Sequence, residues 1–200
     1  MKKSFLAISL IVGCSLFLAA CASAPTAEIT ATKAAVATAQ TDDVRTYAPD
    51  SLKAAEDELN KALAEVQTQD GKFFVSRDYK QASAGLKSAK DLAEKAASDA
   101  QANKAKAKSD AEAVLAALPQ SIEEAKKALA KAPKGKDTRA DIEAMQNDLK
   151  VAEEALTEAN TAMSNGQYKD ALTKAESAKE KASAITEQVQ KALEKVRGRR

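Results

Sequence analysis

The fold class is decided by residues 142–196, which read IEAMQNDLKVAEEALTEANTAMSNGQYKDALTKAESAKEKASAITEQVQKALEKV. Small and apolar side chains recur there at alternating steps of three and four residues, which places them on one face of an α-helix. The pair Asn165-Gly166 interrupts the pattern, and the same spacing resumes at Tyr168. Because the interruption is so short, we expect an antiparallel, coiled-coil-like hairpin. The stripe comprises Ile142, Met145, Leu149, Ala152, Leu156, Ala159 and Met163, then Tyr168, Ala171, Ala175, Ala178, Ala182, Ile185, Val189, Ala192 and Val196.

Two further helices are predicted near the beginning of the chain. The first covers about residues 26–40, and a break follows at Asp42-Asp43. The second begins at Pro49, a residue suited to the first turn of a helix. Gly71 is expected to end this helix in the left-handed conformation. The stripes are Ile29, Val36 and Ala39, with Thr32 at the remaining position, and Leu52, Ala55, Leu59, Ala62 and Val66.

The middle of the chain predicts one long helix and one short helix. The long helix runs from about Phe74 or Ser76 toward Leu118, and Pro119 is expected to stop it because proline has no N–H to donate. Residues 121–124 (SIEE) match a capping box, so a short helix is expected to begin there and to end at residues 133–136 (PKGK). The stripe of the long helix is Tyr79, Ala82, Leu86, Ala89, Ala93, Ala96 and Ala100.

The two long hairpins resemble copies of each other, with a tyrosine just after each turn. We therefore expect Tyr79 and Tyr168 to be structural anchors that bury their rings against the preceding helix. Their expected contacts are Leu59 or Ala62 in the first hairpin, and Leu156 or Ala159 in the second. Residues 166–172 also resemble the second helix of a tetratricopeptide repeat, but the period of about 34 residues is absent. The matching segments are 52–56 with 149–153, 79–82 with 168–171, and 88–90 with 177–179.

These patterns predict an all-α fold of elongated antiparallel helical hairpins that form a coiled-coil-like bundle. One arrangement consistent with them is two related hairpins in tandem. The core of this fold is thin, since a buried alanine methyl contributes about 0.8 kcal/mol against about 1.5–3 kcal/mol for leucine. Small side chains also leave little room for a deep pocket. The expected division is 1–20 signal, 21–27 acylated tether, 28–118 first helical unit, 119–136 connector with a short helix, and 137–200 hairpin with a basic tail.

The first residues form an export signal. Lys2-Lys3 precede an apolar run that ends in LAAC at residues 18–21, and this pattern resembles the lipobox of a bacterial lipoprotein. In such proteins the cysteine, here Cys21, is diacylated on sulfur, cleaved from the signal and acylated on its new amine. The alternatives are an ordinary secretory cut near residues 22–24 and a lipobox at Cys14. The run is shorter than the roughly 20 residues that a spanning helix needs.

Composition argues against several classes of function. Cleavage removes Lys2 and Lys3 from the 31 basic residues, so that the basic residues balance the 29 acidic ones. A balanced charge does not predict a broad nucleic-acid-binding surface. Both cysteines lie at or before the cleavage point, so no disulfide forms in the mature chain. There is no histidine, the commonest general base and metal ligand. We therefore predict no catalytic, cofactor-binding or metal-binding residues and no cofactor.

Residues 25–101, with Ala24 just before them, carry a more specific resemblance. The segments APTAE (24–28), AAVATA (34–39) and YAPDSLKAA (47–55) resemble an alanine-rich helical family of bacterial envelope lipoproteins, the domain of unknown function 4398. Some members carry a peptidoglycan-binding domain of the outer-membrane-protein-A type, but no strand pattern is present here. Retention at the inner membrane is associated with aspartate after the cysteine in most such lipoproteins. Because this chain has Ala22, the resemblance implies the outer membrane, facing the periplasm.

The function expected from these features is that of a non-enzymatic, membrane-tethered structural or adaptor element of the cell envelope. The alternatives are a periplasmic chaperone and an envelope enzyme using lysine and glutamate. Expected partners are the membrane, through the N-terminal lipid, and an envelope protein or the cell wall, with no nucleic acid. The tail RGRR (197–200) has two interpretations, contact with anionic groups or complementation of the helix dipole.

Overall fold

The computed structural model describes residues 23–133, 135 and 138–198. Cys14, Cys21, the signal and the last two arginines lie outside these residues. The described part is 88% helical with six α-helices and no strand, which confirms the all-α class. The helices are α1 (Thr26–Ala39), α2 (Asp42–Tyr47), α3 (Pro49–Asp70), α4 (Lys80–Ala130), α5 (Arg139–Ser164) and α6 (Tyr168–Arg197), with a 3₁₀ turn at Phe74–Ser76.

Two expectations about the first helices are wrong. Asp42 and Asp43 do not break the chain but form the first turn of α2, where carboxylates complement the helix dipole. The side chain of Thr41 caps this helix by accepting a hydrogen bond from the Val44 N–H at 3.2 Å. Gly71 ends α3 in the right-handed conformation, with φ of −70°. The first helix, α1, begins at Thr26 as expected.

Pro119 does not end a helix, because α4 continues through it to Ala130. Leu118 and Ile122 are buried in the core on either side, and this packing stabilises the helix that the proline disfavours. Pro119 itself is exposed, so its ring does not have to fit into the core. Ser121 does not cap a new helix; its hydroxyl lies 3.4 Å from the Ala117 carbonyl, to which it donates.

The chain divides into two compact units within α4, the first ending at Asn103 and the second beginning at Lys104. In the first unit α1, α2, α3 and the beginning of α4 share one core. Gln40, just after α1, donates to the Glu56 carboxylate near the beginning of α3 at 2.6 Å, so α1 and α3 are antiparallel. The buried core residues are Val36, Ala39, Val44, Ala48, Leu52, Ala55, Ala93, Ala96 and Ala100.

The second unit contains the rest of α4 together with α5 and α6. The three-residue turn after α5 places Gly166 at φ 75°, the one positive φ among the described residues. The Gln167 N–H donates to the Ala162 carbonyl at 2.9 Å, which is the bond of a Schellman motif. The expected hairpin is therefore confirmed. Its buried core is Leu118, Ile122, Ala125, Leu129, Ala132, Met145, Ala152, Ala159, Ala175, Ala178, Ala182, Ile185 and Val189.

Candidate functional site

The most distinctive surface of the described chain is the loop between α3 and α4, residues 71–79, here called the tip loop. Phe73, Phe74 and Val75 are consecutive there and are 70%, 58% and 69% exposed. The two rings contact each other, with centroids 4.8 Å apart and planes inclined at 56°. Of the four phenylalanines in the sequence, the other two lie in the predicted signal. Both phenylalanines of the described residues are thus exposed at one place.

Hydrogen bonds hold the tip loop in a defined conformation. The Arg77 guanidinium donates to the Asp70 carbonyl at 2.9 Å and to the Lys72 carbonyl at 3.0 Å. The Asp78 N–H donates to the Gln69 side-chain oxygen at 3.0 Å, and Gln69 is buried. These bonds tie both ends of the tip loop, which carries the exposed apolar side chains, to the end of α3.

Tyr79 closes the tip loop, and its hydroxyl donates to the Asp70 carboxylate at 2.5 Å. The ring is buried, at 5% exposure. The hydrogen bond to Asp70, with a smaller contribution from burial, raises the pKa of the Tyr79 phenol above its ordinary value of 10.0. In the neutral form this phenol therefore fastens the beginning of α4 to the end of α3.

The neighbours of Tyr79 differ from those that the sequence predicts. Its apolar cluster contains Val66 and Ala82, with Ala24 and Ile29 packed against them, and does not include Leu59 or Ala62. Leu59 is partly buried against the core of the first unit instead. The cluster brings the beginning of the described chain, at Ala24, to the end of the unit that carries the tip loop.

Tyr168, the matching tyrosine of the second hairpin, has a different environment. It is only half-buried, and the Lys108 ammonium lies 5.9 Å from the centre of its ring, in a cation–π arrangement. Leu156 is partly buried against the core of the second unit. The turn before Tyr168 consists of Asn165, Gly166 and Gln167 and exposes no large apolar side chain. The two tyrosines are therefore not equivalent anchors.

The concave surfaces of the described chain are open grooves. One of about 390 Å³ lies near the end of the second unit, between residues 132–145 and 188–192. Another of about 440 Å³ lies in the first unit between residues 23–28 and 78–83, next to Tyr79. Neither contains a cluster of three or more side chains suited to a metal, nor does any other place in the described residues.

Charged groups in the described chain pair mainly along exposed helix faces. Lys126 donates to Glu153, with Glu123 also near, and these hydrogen bonds raise its pKa. Hydrogen bonds from Lys95 and then Ser51 lower the pKa of Asp99. Both groups thus keep their ordinary charge at neutral pH, which suits their ion pairs.

No known family, curated protein or solved structure matches this chain in comparisons. The resemblance to the envelope lipoprotein family is therefore a proposal. None of the helices in the described part combines the length and the apolar character needed to cross a membrane. The tip loop was missed because Val75 and Tyr79 fit the helical spacing. The helix was expected to begin at about Phe74 or Ser76, whereas α4 begins at Lys80. The signal that identifies the tip loop is the Phe-Phe pair beside Gly71, where a turn favours polar residues.

Proposed function

We propose that this chain is a non-enzymatic periplasmic lipoprotein that is tethered to the outer membrane and acts as a structural or adaptor element of the cell envelope. The observation that carries the proposal is the LAAC tetrapeptide at residues 18–21, which follows a basic start and an apolar run. Ala22 supports the outer membrane as the location. The resemblance of residues 25–101 to an envelope lipoprotein family supports the same function.

The packing of the two units supports an adaptor rather than an enzyme. Their cores consist largely of alanine, so the helices approach closely and their outer faces carry salt bridges such as Lys53–Asp57 at 2.7 Å. Long solvated helix faces are suited to contacts with an envelope protein or with the cell wall. The grooves between the helices are open to solvent rather than enclosed.

Lipid attachment is the first test. In cells given a labelled fatty acid, the wild-type chain should be labelled and should sediment with membranes. Cys21→Ala should lose both the label and the membrane association, whereas Cys14→Ala, the matched control, should lose neither. Membrane retention of an unlabelled Cys21→Ala chain would refute the lipoprotein assignment.

A chaperone is the second candidate, and the exposed tip loop is the observation that favours it. Such a protein holds unfolded clients on apolar surface, and Phe73 and Phe74 supply that surface. The mature chain would then suppress aggregation of a denatured enzyme, and Phe73→Ser with Phe74→Ser would lose this effect. Equal suppression by the double variant would argue against client binding at the tip loop.

A further inference from the structure

We propose that the tip loop is a second membrane contact, which lies on the same lipid surface that holds Cys21. Residues 73–75 would enter the interfacial layer and fix the orientation of the first unit on the membrane. This inference rests on the proposed lipoprotein function and adds to it that the tip loop binds the membrane. The partner of the tip loop is a lipid bilayer, and the position of the N-terminus is the reason for choosing this partner.

The position of Ala24 ties the tip loop to the lipid anchor. Ala24 packs on the cluster of Tyr79, Val66 and Ala82, at the end of the first unit where α3 stops and α4 begins. Cys21 precedes Ala24 by three residues, so the covalent chain keeps the α-carbon of Cys21 within about 11 Å of the α-carbon of Ala24. Any membrane that receives the acyl chains therefore lies beside the tip loop.

The chemistry of the tip loop suits the interface of a bilayer. Two phenylalanines and a valine are exposed together, and phenylalanine is typical of apolar surfaces that bury themselves at the boundary of headgroups and acyl chains. Lys72 and Lys80 flank them and can approach lipid phosphates, while Asp78 balances part of this charge. The Arg77 guanidinium already pairs two backbone carbonyls, so less backbone must lose its hydrogen bonds to water when the loop approaches lipid.

A second contact also serves a purpose that acyl chains alone do not. Acyl chains hold a protein at a membrane but leave it free to rotate about a short tether, whereas a second contact restricts that rotation. The turn at residues 165–167 shows that a hairpin of this chain closes without exposed apolar residues. The Phe-Phe-Val segment is therefore not a requirement of the turn.

A tryptophan reporter tests this proposal, because the chain contains no tryptophan. Phe74→Trp places one at the tip loop. The matched control is Ala54→Trp, an exposed position in α3 that lies 16 residues, or about 24 Å, before Asp70. The mature chain, residues 21–200, is coupled through the Cys21 thiol to a maleimide lipid. The vesicles contain phosphatidylethanolamine and phosphatidylglycerol with brominated acyl chains, which quench tryptophan on contact.

The expected result is several-fold stronger bromolipid quenching of Trp at position 74 than at position 54, with a blue-shifted emission. Equal quenching at both positions, whether strong or absent, would overturn the proposal. A tip loop that stays in water on these vesicles yet binds a denatured protein would identify a client surface instead. Chemical coupling makes the result independent of acylation in the cell, so failure here and failure of the lipid-labelling test are distinguishable.

A second measurement uses the uncoupled chain with Cys21→Ser. Adding Phe73→Ser and Phe74→Ser should weaken its partition into the same vesicles by about tenfold, the factor for 1.4 kcal/mol of lost transfer free energy. Helical content should not change, since both rings are exposed. Unchanged partition of the double variant would also overturn the proposal.

Discussion

The arms of the two hairpins are alike, whereas their tips differ. Ala82 and Ala171 are both fully buried, as are Ala89 and Ala178, at matching places in the two second arms. Alanine at these places lets neighbouring helices approach closely. The similarity of the arms is therefore a requirement of packing, which any substitution by a larger residue would disturb.

The tips are not under this requirement. In the first hairpin, residues 71–79 form a loop with three exposed apolar side chains and a buried Tyr79. In the second, a Schellman turn leads directly to Tyr168, which lies half-buried beneath Lys108. The comparison indicates that a helical hairpin holds its arms constant and can place a distinct function in the connection between them.

The largest expected effect concerns Leu86, a large side chain that is fully buried in the second arm of the first hairpin. Leu86 is fully buried where the second hairpin has Ala175, which is equally buried. Leu86→Ala should lower the free energy of unfolding by about 2–5 kcal/mol, since it leaves a cavity in an alanine-lined seam. Urea unfolding followed by circular dichroism measures this change. The exposed neighbour Lys87→Ala is the matched control and should change stability little.

The reciprocal substitution sharpens the comparison. Ala175→Leu places a large side chain where the second hairpin has no room, and it should cost about 1–3 kcal/mol. If this variant is instead stabilised, the seam of the second hairpin contains unfilled space and the two arms differ in packing as well as in sequence.

A smaller effect is expected at Gly85, the place at which the second hairpin has Lys174. A β-carbon built on Gly85 lies 3.0 Å from the β-carbon of Ala62, so α3 and α4 are in close contact there. Gly85→Ala gains about 1 kcal/mol of helix propensity, but we expect the overlap to outweigh that gain and to lower stability. The double variant, Ala62→Gly with Gly85→Ala, should lose less stability than the two single variants lose together, because the smaller residue at position 62 relieves the overlap. Stabilisation by Gly85→Ala alone would contradict the close contact.

The arms could be predicted from the sequence because each helix buries one face, and this burial repeats small and apolar residues at regular spacing. Residues at steps of three and four share one face, so the buried places Ala93, Ala96 and Ala100 could be identified from spacing alone. Where a local signal opposed tertiary packing, packing prevailed. Pro119 predicted a helix end, but burial of Leu118 and Ile122 keeps α4 continuous.

The candidate site could not be predicted in the same way. The conformation of the tip loop depends on hydrogen bonds from Arg77 and Tyr79 to Asp70, seven and nine residues away. These bonds leave no periodic signal in the sequence, and Val75 and Tyr79 happen to fit the helical spacing. Likewise, the packing of Ala24 near Tyr79 joins two segments that no spacing connects.

A still smaller effect is expected at Thr32, a buried polar residue that belongs to the first unit. Its hydroxyl donates to the Leu86 carbonyl in α4 at 3.2 Å, which joins α1 to the hairpin. Thr32→Val keeps the shape and removes the donor, so stability should fall by about 0.5–1.5 kcal/mol. Thr38→Val is the control, since Thr38 is exposed and its hydroxyl bonds within α1 at 2.8 Å. Equal losses in the two variants would show that the contact between helices adds nothing.

The smallest effect at neutral pH separates the two tyrosines. Tyr79→Phe removes the hydroxyl that donates to Asp70 while keeping the ring, and Asp70 is exposed and can bind water instead. The midpoint of thermal unfolding should therefore fall slightly. Tyr168→Phe keeps the ring beneath Lys108 and should leave the midpoint unchanged.

The pH dependence of the Tyr79→Phe effect identifies its cause. The pKa of Tyr79 in the folded chain is raised above 10.0, so the folded state holds the phenol proton more tightly than the unfolded state does. The stabilisation is thus fully present below about pH 10 and is lost as the pH rises through the folded pKa. The difference in unfolding midpoint between wild type and Tyr79→Phe should be constant at neutral pH and should shrink above about pH 10. A difference that persists unchanged in alkali would mean that the hydroxyl acts through packing, and the tip loop would then be held by Arg77 rather than by Tyr79.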